Sequence, residues 1–147
     1  MWQEGWSKLQ AGQLACDELA FNKGQDGRRG LSLVARLSPG VVQRIGLFLE
    51  ALRAIEPEQY YYPATDIHVT VLSLLTAAEH NQEQLAQAGA FIPAVEAALS
   101  GVHAFRLETV GVTLTSTAVL AQGFPEADAL QPIRERIRAV LRAQGLG

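Results

Sequence analysis

Cysteine is almost missing from this chain, with one residue, Cys16, in 147. A lone thiol excludes an internal disulfide and favours a reducing compartment, so a cytoplasmic protein is expected. Cys16 has no sequence neighbour that would activate its thiol, which points to a structural role. Histidine is scarce too, at three residues. None of the three has a His-x-x-x-His or comparable ligand spacing, so neither a metal site nor a cofactor is expected. An excess of positive charge is also lacking: 12 Lys and Arg stand against 15 Asp and Glu, for a net charge of −3. That balance gives no general attraction for duplex nucleic acid or an anionic membrane, so any phosphate ligand must be held by a local site. No apolar run approaches the roughly 18 residues of a membrane span. The stretch Met1-Trp-Gln-Glu-Gly-Trp6 lacks the basic and apolar regions of a signal peptide. What is present is 48% hydrophobic and 18% charged residues, the composition of a globular chain of one domain's length.

Periodicity divides the chain into a helical N-terminal arm, residues 1–25, and a domain over 26–147. In the arm, Trp2, Trp6 and Leu9 fall at helical spacing. Asn22 to Gly30 is turn chemistry, and Leu31 to Leu37 reads as a strand with Ser32 and Arg36 on one face. Ser38-Pro39 starts a helix whose Val41, Ile45, Phe48, Leu52 and Ile55 form one apolar stripe, and Glu56-Pro57 ends it. Ile67 to Leu74 is a second strand, rich in β-branched residues. Residues 79–99 read as a helix kinked or split near Gly89 and Pro93. Phe105–Thr115 and Ala118–Gln122 form a hairpin turning at Ser116-Thr117, and Leu130 to Leu141 form a final amphipathic helix. The short strands and single hairpin favour an α+β fold over a doubly wound parallel sheet.

The residues with chemistry to offer are His68 and Thr70. Positions i and i+2 of a strand share a face, roughly 6.5–7 Å apart at Cα, while Val69 and Val71 turn to the core. Histidine exchanges a proton near neutral pH, and threonine beside it donates a hydrogen bond to a phosphoryl oxygen. The triplet is weak alone: three histidines and 13 Ser or Thr give about one chance in four of a random His-x-Ser/Thr. A histidine satisfied by its neighbours on a partly buried strand is then an equal reading.

The context adds to it. Asp26-Gly-Arg-Arg-Gly-Leu-Ser-Leu-Val-Ala-Arg36, an amphipathic helix, Glu56-Pro-Glu-Gln-Tyr-Tyr-Tyr-Pro63 and Asp66-Ile-His-Val-Thr-Val-Leu-Ser-Leu74 together resemble the 2H phosphoesterase superfamily. These are the RNA ligase-like proteins and cyclic nucleotide phosphodiesterases with two His-x-Thr/Ser motifs, and the resemblance runs over roughly residues 26–145, the extent of the matching element order. It implies a bilobal α+β fold with antiparallel sheets lining a groove and helices outside. It implies metal-independent cleavage of 2′,3′-cyclic phosphates or 2′-5′ phosphodiesters, one histidine as base and the other as acid. His68 and Thr70 match the first motif. A second is not found, since His80 is followed by Asn-Gln and His103 by Ala-Phe. The resemblance places it on a strand after the final helix, so the chain is expected to be C-terminally incomplete and inactive as it stands.

Arg36 would reach a phosphate from the neighbouring strand or stand as a solvated strand end. Tyr62, within Tyr60-Tyr61-Tyr62, would stack on a base, although packing at the rim or core is the more ordinary role. Arg134, Arg138 and Arg142 share one helix face, read as solvated, and Arg28 and Arg29 read as solubilising turn residues. Three functions remain: a phosphoesterase taking small phosphodiester or RNA-end substrates, a non-catalytic nucleotide- or phosphate-binding domain of the same fold, or an interaction domain with a structural His68.

Overall fold

The computed structural model describes residues 2–15 and 17–146. The reading of Cys16 as structural falls outside them. The fold is α+β: among the described residues, six helices accompany two antiparallel sheets of two strands each. The helices are α1 (Trp2–Gln10), α2 (Glu18–Phe21), α3 (Pro39–Ile55), α4 (Gln82–Ala86), α5 (Ala88–Leu99) and α6 (Leu130–Ala143). The strands are β1 (Arg29–Arg36), β2 (His68–Ala78), β3 (Leu107–Leu114) and β4 (Val119–Pro125). None of the described helices is long and apolar enough to cross a membrane. By internal contacts the chain forms two compact units, Gly27–Leu85 and Met1–Asp26 with Ala86–Gly147.

In the unit Gly27–Leu85, β1 and β2 pair with a register that advances unevenly. Arg36 faces His68, Ala35 faces Val69 and Val34 faces Thr70, but Leu33 faces Leu72 and Leu31 faces Leu75. The eleven residues of β2 therefore oppose the eight of β1 through three irregularities. The register passes over Val71 and Leu74, as at β-bulges. Their effect is on side-chain direction. The run His-Val-Thr-Val-Leu-Ser-Leu-Leu does not alternate beyond Thr70, and strict period 2 would put Leu72 on the face of His68. One extra residue at Val71 turns Leu72 to the other face, where it is buried. The sheet thereby sorts into an apolar face, with Leu33, Val69, Leu72 and Leu75, and a polar face. The place expected for Val71 in the core goes instead to Leu72, because the bulge changes the parity.

Helix α3 begins at Ser38-Pro39 and ends before Glu56, as read from the sequence, with the Ser38 carbonyl accepting the first turn's N–H groups. None of its residues is buried, and Phe48 and Ile55 are 48% and 73% exposed. Its apolar stripe is thus not covered as expected. Beyond Glu56, the Tyr61 hydroxyl donates to the Glu56 carbonyl at 2.9 Å, and Arg53 lies over the Tyr61 ring at 5.0 Å.

In the other unit, α5 and α6 pack together around Ile137, which is fully buried beside Phe91, Ala94, Val95, Ala98, Leu130 and Leu141. The small Ala94 and Ala98, one turn apart, leave room for that close approach. Helix α6 ends with Gly145 at φ 69°, where Leu146 N–H reaches the Leu141 carbonyl and Gly145 N–H reaches Arg142. That pattern is a Schellman cap, and its left-handed position suits glycine. β3 and β4 form the expected hairpin, closed by Thr115, whose Oγ1 accepts from the Thr117 and Ala118 amides. The N-terminal arm lies on this hairpin: Gly5 is buried against Leu114, and Ala15 N–H donates to the Ser116 carbonyl at 2.9 Å. The helix expected over 79–99 is divided at Gln87 into α4 and α5, and Pro93 is carried inside α5.

Candidate functional site

The polar face of the β1–β2 sheet is built from three facing pairs: Arg36 with His68, Val34 with Thr70, and Ser32 with Ser73. Directly opposed residues point the same way, with Cβ atoms roughly 4.5–5.5 Å apart. The two-residue steps along β1 join the pairs into one patch. Arg36, His68, Thr70, Ser32 and Ser73 are exposed, and Val34 is half-buried between them. The sequence grouped His68 with Thr70 and Ser32 with Arg36. The sheet brings both groups to one face and adds Ser73, which strict alternation from His68 puts on the opposite side.

His68 is oriented by its backbone surroundings. Its Nδ1 lies 2.6 Å from the Asp66 carbonyl oxygen. A carbonyl only accepts, so Nδ1 carries the proton of this bond and Nε2 of the neutral ring is the nitrogen able to take one. Nε2 makes no hydrogen bond among the described residues, and neither does the Thr70 hydroxyl. The site therefore offers a base nitrogen and a hydroxyl donor side by side, both accessible.

Arg36 donates from Nη1 to the Thr65 carbonyl at 2.6 Å. A guanidinium has five N–H groups, so this bond leaves donors for an anion at the same face. Tyr62 is 54% exposed and meets Tyr60 edge to face, with centroids 5.0 Å apart. It stands just before the Ala64–Asp66 turn that carries the partners of Arg36 and His68. Asp66 and Thr65, which supply those carbonyls, carry no signal in the sequence, because a main-chain acceptor has no residue signature.

Among the described residues, no group of three or more His, Cys, Asp or Glu is gathered as a metal site. Arg134 is half-buried on α6, while Arg138 and Arg142 are exposed there, and all three belong to the other compact unit. No family model, curated protein or solved structure matches the chain.

Proposed function

We propose that this chain belongs to a metal-independent phosphoesterase of the 2H kind, acting on 2′,3′-cyclic phosphate or 2′-5′ phosphodiester substrates. The observation that carries the proposal is the His68–Thr70–Arg36 patch, with Nδ1 of His68 tied to the Asp66 carbonyl and Nε2 left for proton transfer. In this reading a phosphoryl group sits on the polar face of the sheet. Thr70 donates to one of its oxygens, and the uncommitted N–H groups of Arg36 offset its charge. Nε2 of His68 either takes the proton of the attacking water or 2′-hydroxyl or returns one to the leaving oxygen, and a second group performs the complementary transfer. Tyr62 offers a ring on which a base can stack. The bilobal 2H arrangement is part of the proposal, supported by the α+β element order and by one two-stranded antiparallel sheet in each compact unit. A cytoplasmic location goes with it, on the single cysteine.

The test is hydrolysis of a nucleoside 2′,3′-cyclic phosphate in excess chelator. Turnover that falls by about 10²–10⁴ in His68→Ala, the usual worth of one acid–base group, supports the proposal. Replacing the hydroxyl in Thr70→Val removes a hydrogen bond to a charged oxygen and should cost about 10- to 100-fold. Activity that survives His68→Ala, or that appears only with added metal, overturns the enzyme reading.

A second reading is favoured by the presence of one His-x-Thr motif in the chain. The patch would then bind a nucleotide or phosphate without turnover. Calorimetric titration with a nucleoside 2′- or 3′-monophosphate separates the two: heat without hydrolysis supports binding alone, and no heat argues against it.

A further inference from the structure

The short turn before β2 leaves two carbonyls to be satisfied. In the 3₁₀ turn Ala64–Asp66, the Pro63 carbonyl accepts from Asp66 N–H at 2.9 Å and the Ala64 carbonyl from Ile67 N–H at 3.3 Å. The next two carbonyls, of Thr65 and Asp66, point out of the end of the turn, as the last carbonyls of any helical segment do. Arg36 Nη1 takes the first at 2.6 Å, and His68 Nδ1 takes the second at 2.6 Å. Because Arg36 and His68 face each other across the strand pair, the two side chains reach the same turn from opposite strands.

We propose that Arg36 is a positioning residue for His68: it holds the Ala64–Asp66 turn, and the turn's last carbonyl holds the imidazole with Nε2 as its reactive nitrogen. The coupling runs through adjacent peptide units. If the Thr65 carbonyl loses its partner, the turn loses its tie to β1, and the Asp66 carbonyl can rotate away from Nδ1. The ring is then free to move its proton to Nε2, the form that cannot act as a base through that atom. Arginine suits the task because its planar fork keeps one N–H on the carbonyl while the others remain available. The catalytic importance of this arrangement rests on the phosphoesterase reading, but the coupling itself does not.

The test is therefore a spectroscopic one on the full chain. Two-bond ¹H–¹⁵N correlation spectra of the imidazoles distinguish the Nδ1–H from the Nε2–H form for each of the three histidines. In the unmodified chain His68 should show the Nδ1–H pattern. In Arg36→Met the Nε2–H form of His68 should rise about threefold, the size expected for loss of one ordinary hydrogen bond. His80 and His103 should keep their spectra. Arg36→Lys, which keeps a cation and a donor but not the fork, should fall between the two. An unchanged His68 pattern in Arg36→Met overturns the proposal. If that variant fails to fold, seen as all three histidines moving together, Arg36→Lys decides: an Nε2–H fraction above that of the unmodified chain supports it, and an identical pattern overturns it. The spectra decide the matter without turnover. A locked His68 without phosphodiester hydrolysis would remove the enzyme reading alone, and hydrolysis with an Arg36-independent ring would remove this one alone.

Discussion

Among the described residues, Asn81 is the buried polar side chain, 8% exposed, and its work is done by one nitrogen. Nδ2 donates to the Arg29 carbonyl at 2.7 Å and to the Thr76 carbonyl at 2.6 Å. Both carbonyls lie where the β1–β2 register is irregular, between the Arg29–Ala78 and Leu31–Leu75 pairs. The amide thus supplies hydrogen bonds where the ladder is disrupted, and buried carbonyls left unpaired are costly. Asn81→Ala should lower stability by about 1–3 kcal/mol. Asn81→Asp should do worse despite its similar size, because a carboxylate turns two acceptors toward two acceptors. Thermal melts of the two variants decide it, and an Asp variant as stable as the Ala variant would show that donation is not what Asn81 provides. Nothing in the sequence marked this residue, since one partner is 52 positions away. His68 and Thr70 were legible because two residues of strand geometry suffice to place them together. Ser73 and the Thr65 and Asp66 carbonyls were not, because a bulge and a turn decide where they point.

Strand β2 shows how an element can be right in kind and wrong in parity. Its β-branched residues and its start near Ile67 announced a strand, but the apolar run after Thr70 has no single period. The extra residues at Val71 and Leu74 resolve that conflict by keeping Leu72 and Leu75 on the apolar face. At the third irregularity the backbones come very close. A Cβ on Gly30 would stand 2.7 Å from the Leu75 carbonyl oxygen and 2.9 Å from the Ala77 nitrogen. Both are main-chain atoms, so the strand itself would have to move. Gly30→Ala should therefore cost about 1–3 kcal/mol, the usual penalty of forced overpacking. Chemical denaturation measures it, and an alanine variant with an unchanged midpoint would mean that the strands do not approach this closely. The sequence showed Gly30 only as turn chemistry. The close approach depends on the partner strand, which local propensity does not contain.

Burial is distributed unequally over the molecule, and this has consequences for its dynamics. Among the described residues, Leu72 is the one buried apolar side chain of the unit Gly27–Leu85. The other unit holds Phe91, Ala94, Val95, Ala98, Leu130, Ile137 and Leu141. Periodicity predicted amphipathic helices equally well in both, because a stripe is a property of one element and burial needs a second element over it. The stripe of α6 meets α5, whereas that of α3 stays half exposed. Local opening follows the density of buried apolar contact, so the two units should not exchange their amides alike. Native-state hydrogen exchange should find α5 and α6 slowest, while β1, β2 and even the 17-residue α3 exchange faster. Ile137→Ala, which empties a fully buried site at a cost of about 2–5 kcal/mol, should accelerate α5 and α6 strongly. It should change the protection of β1 and β2 much less. Protection of β2 equal to that of α6 in the unmodified chain would contradict this ordering. The His68 face belongs to the thinly packed unit, so its geometry depends on local ties such as the Asp66, Thr65 and Asn81 hydrogen bonds rather than on a deep core. A phosphate bound across Thr70 and Arg36 would add ties of the same kind, and slower exchange of β1 and β2 on adding inorganic phosphate would measure its binding.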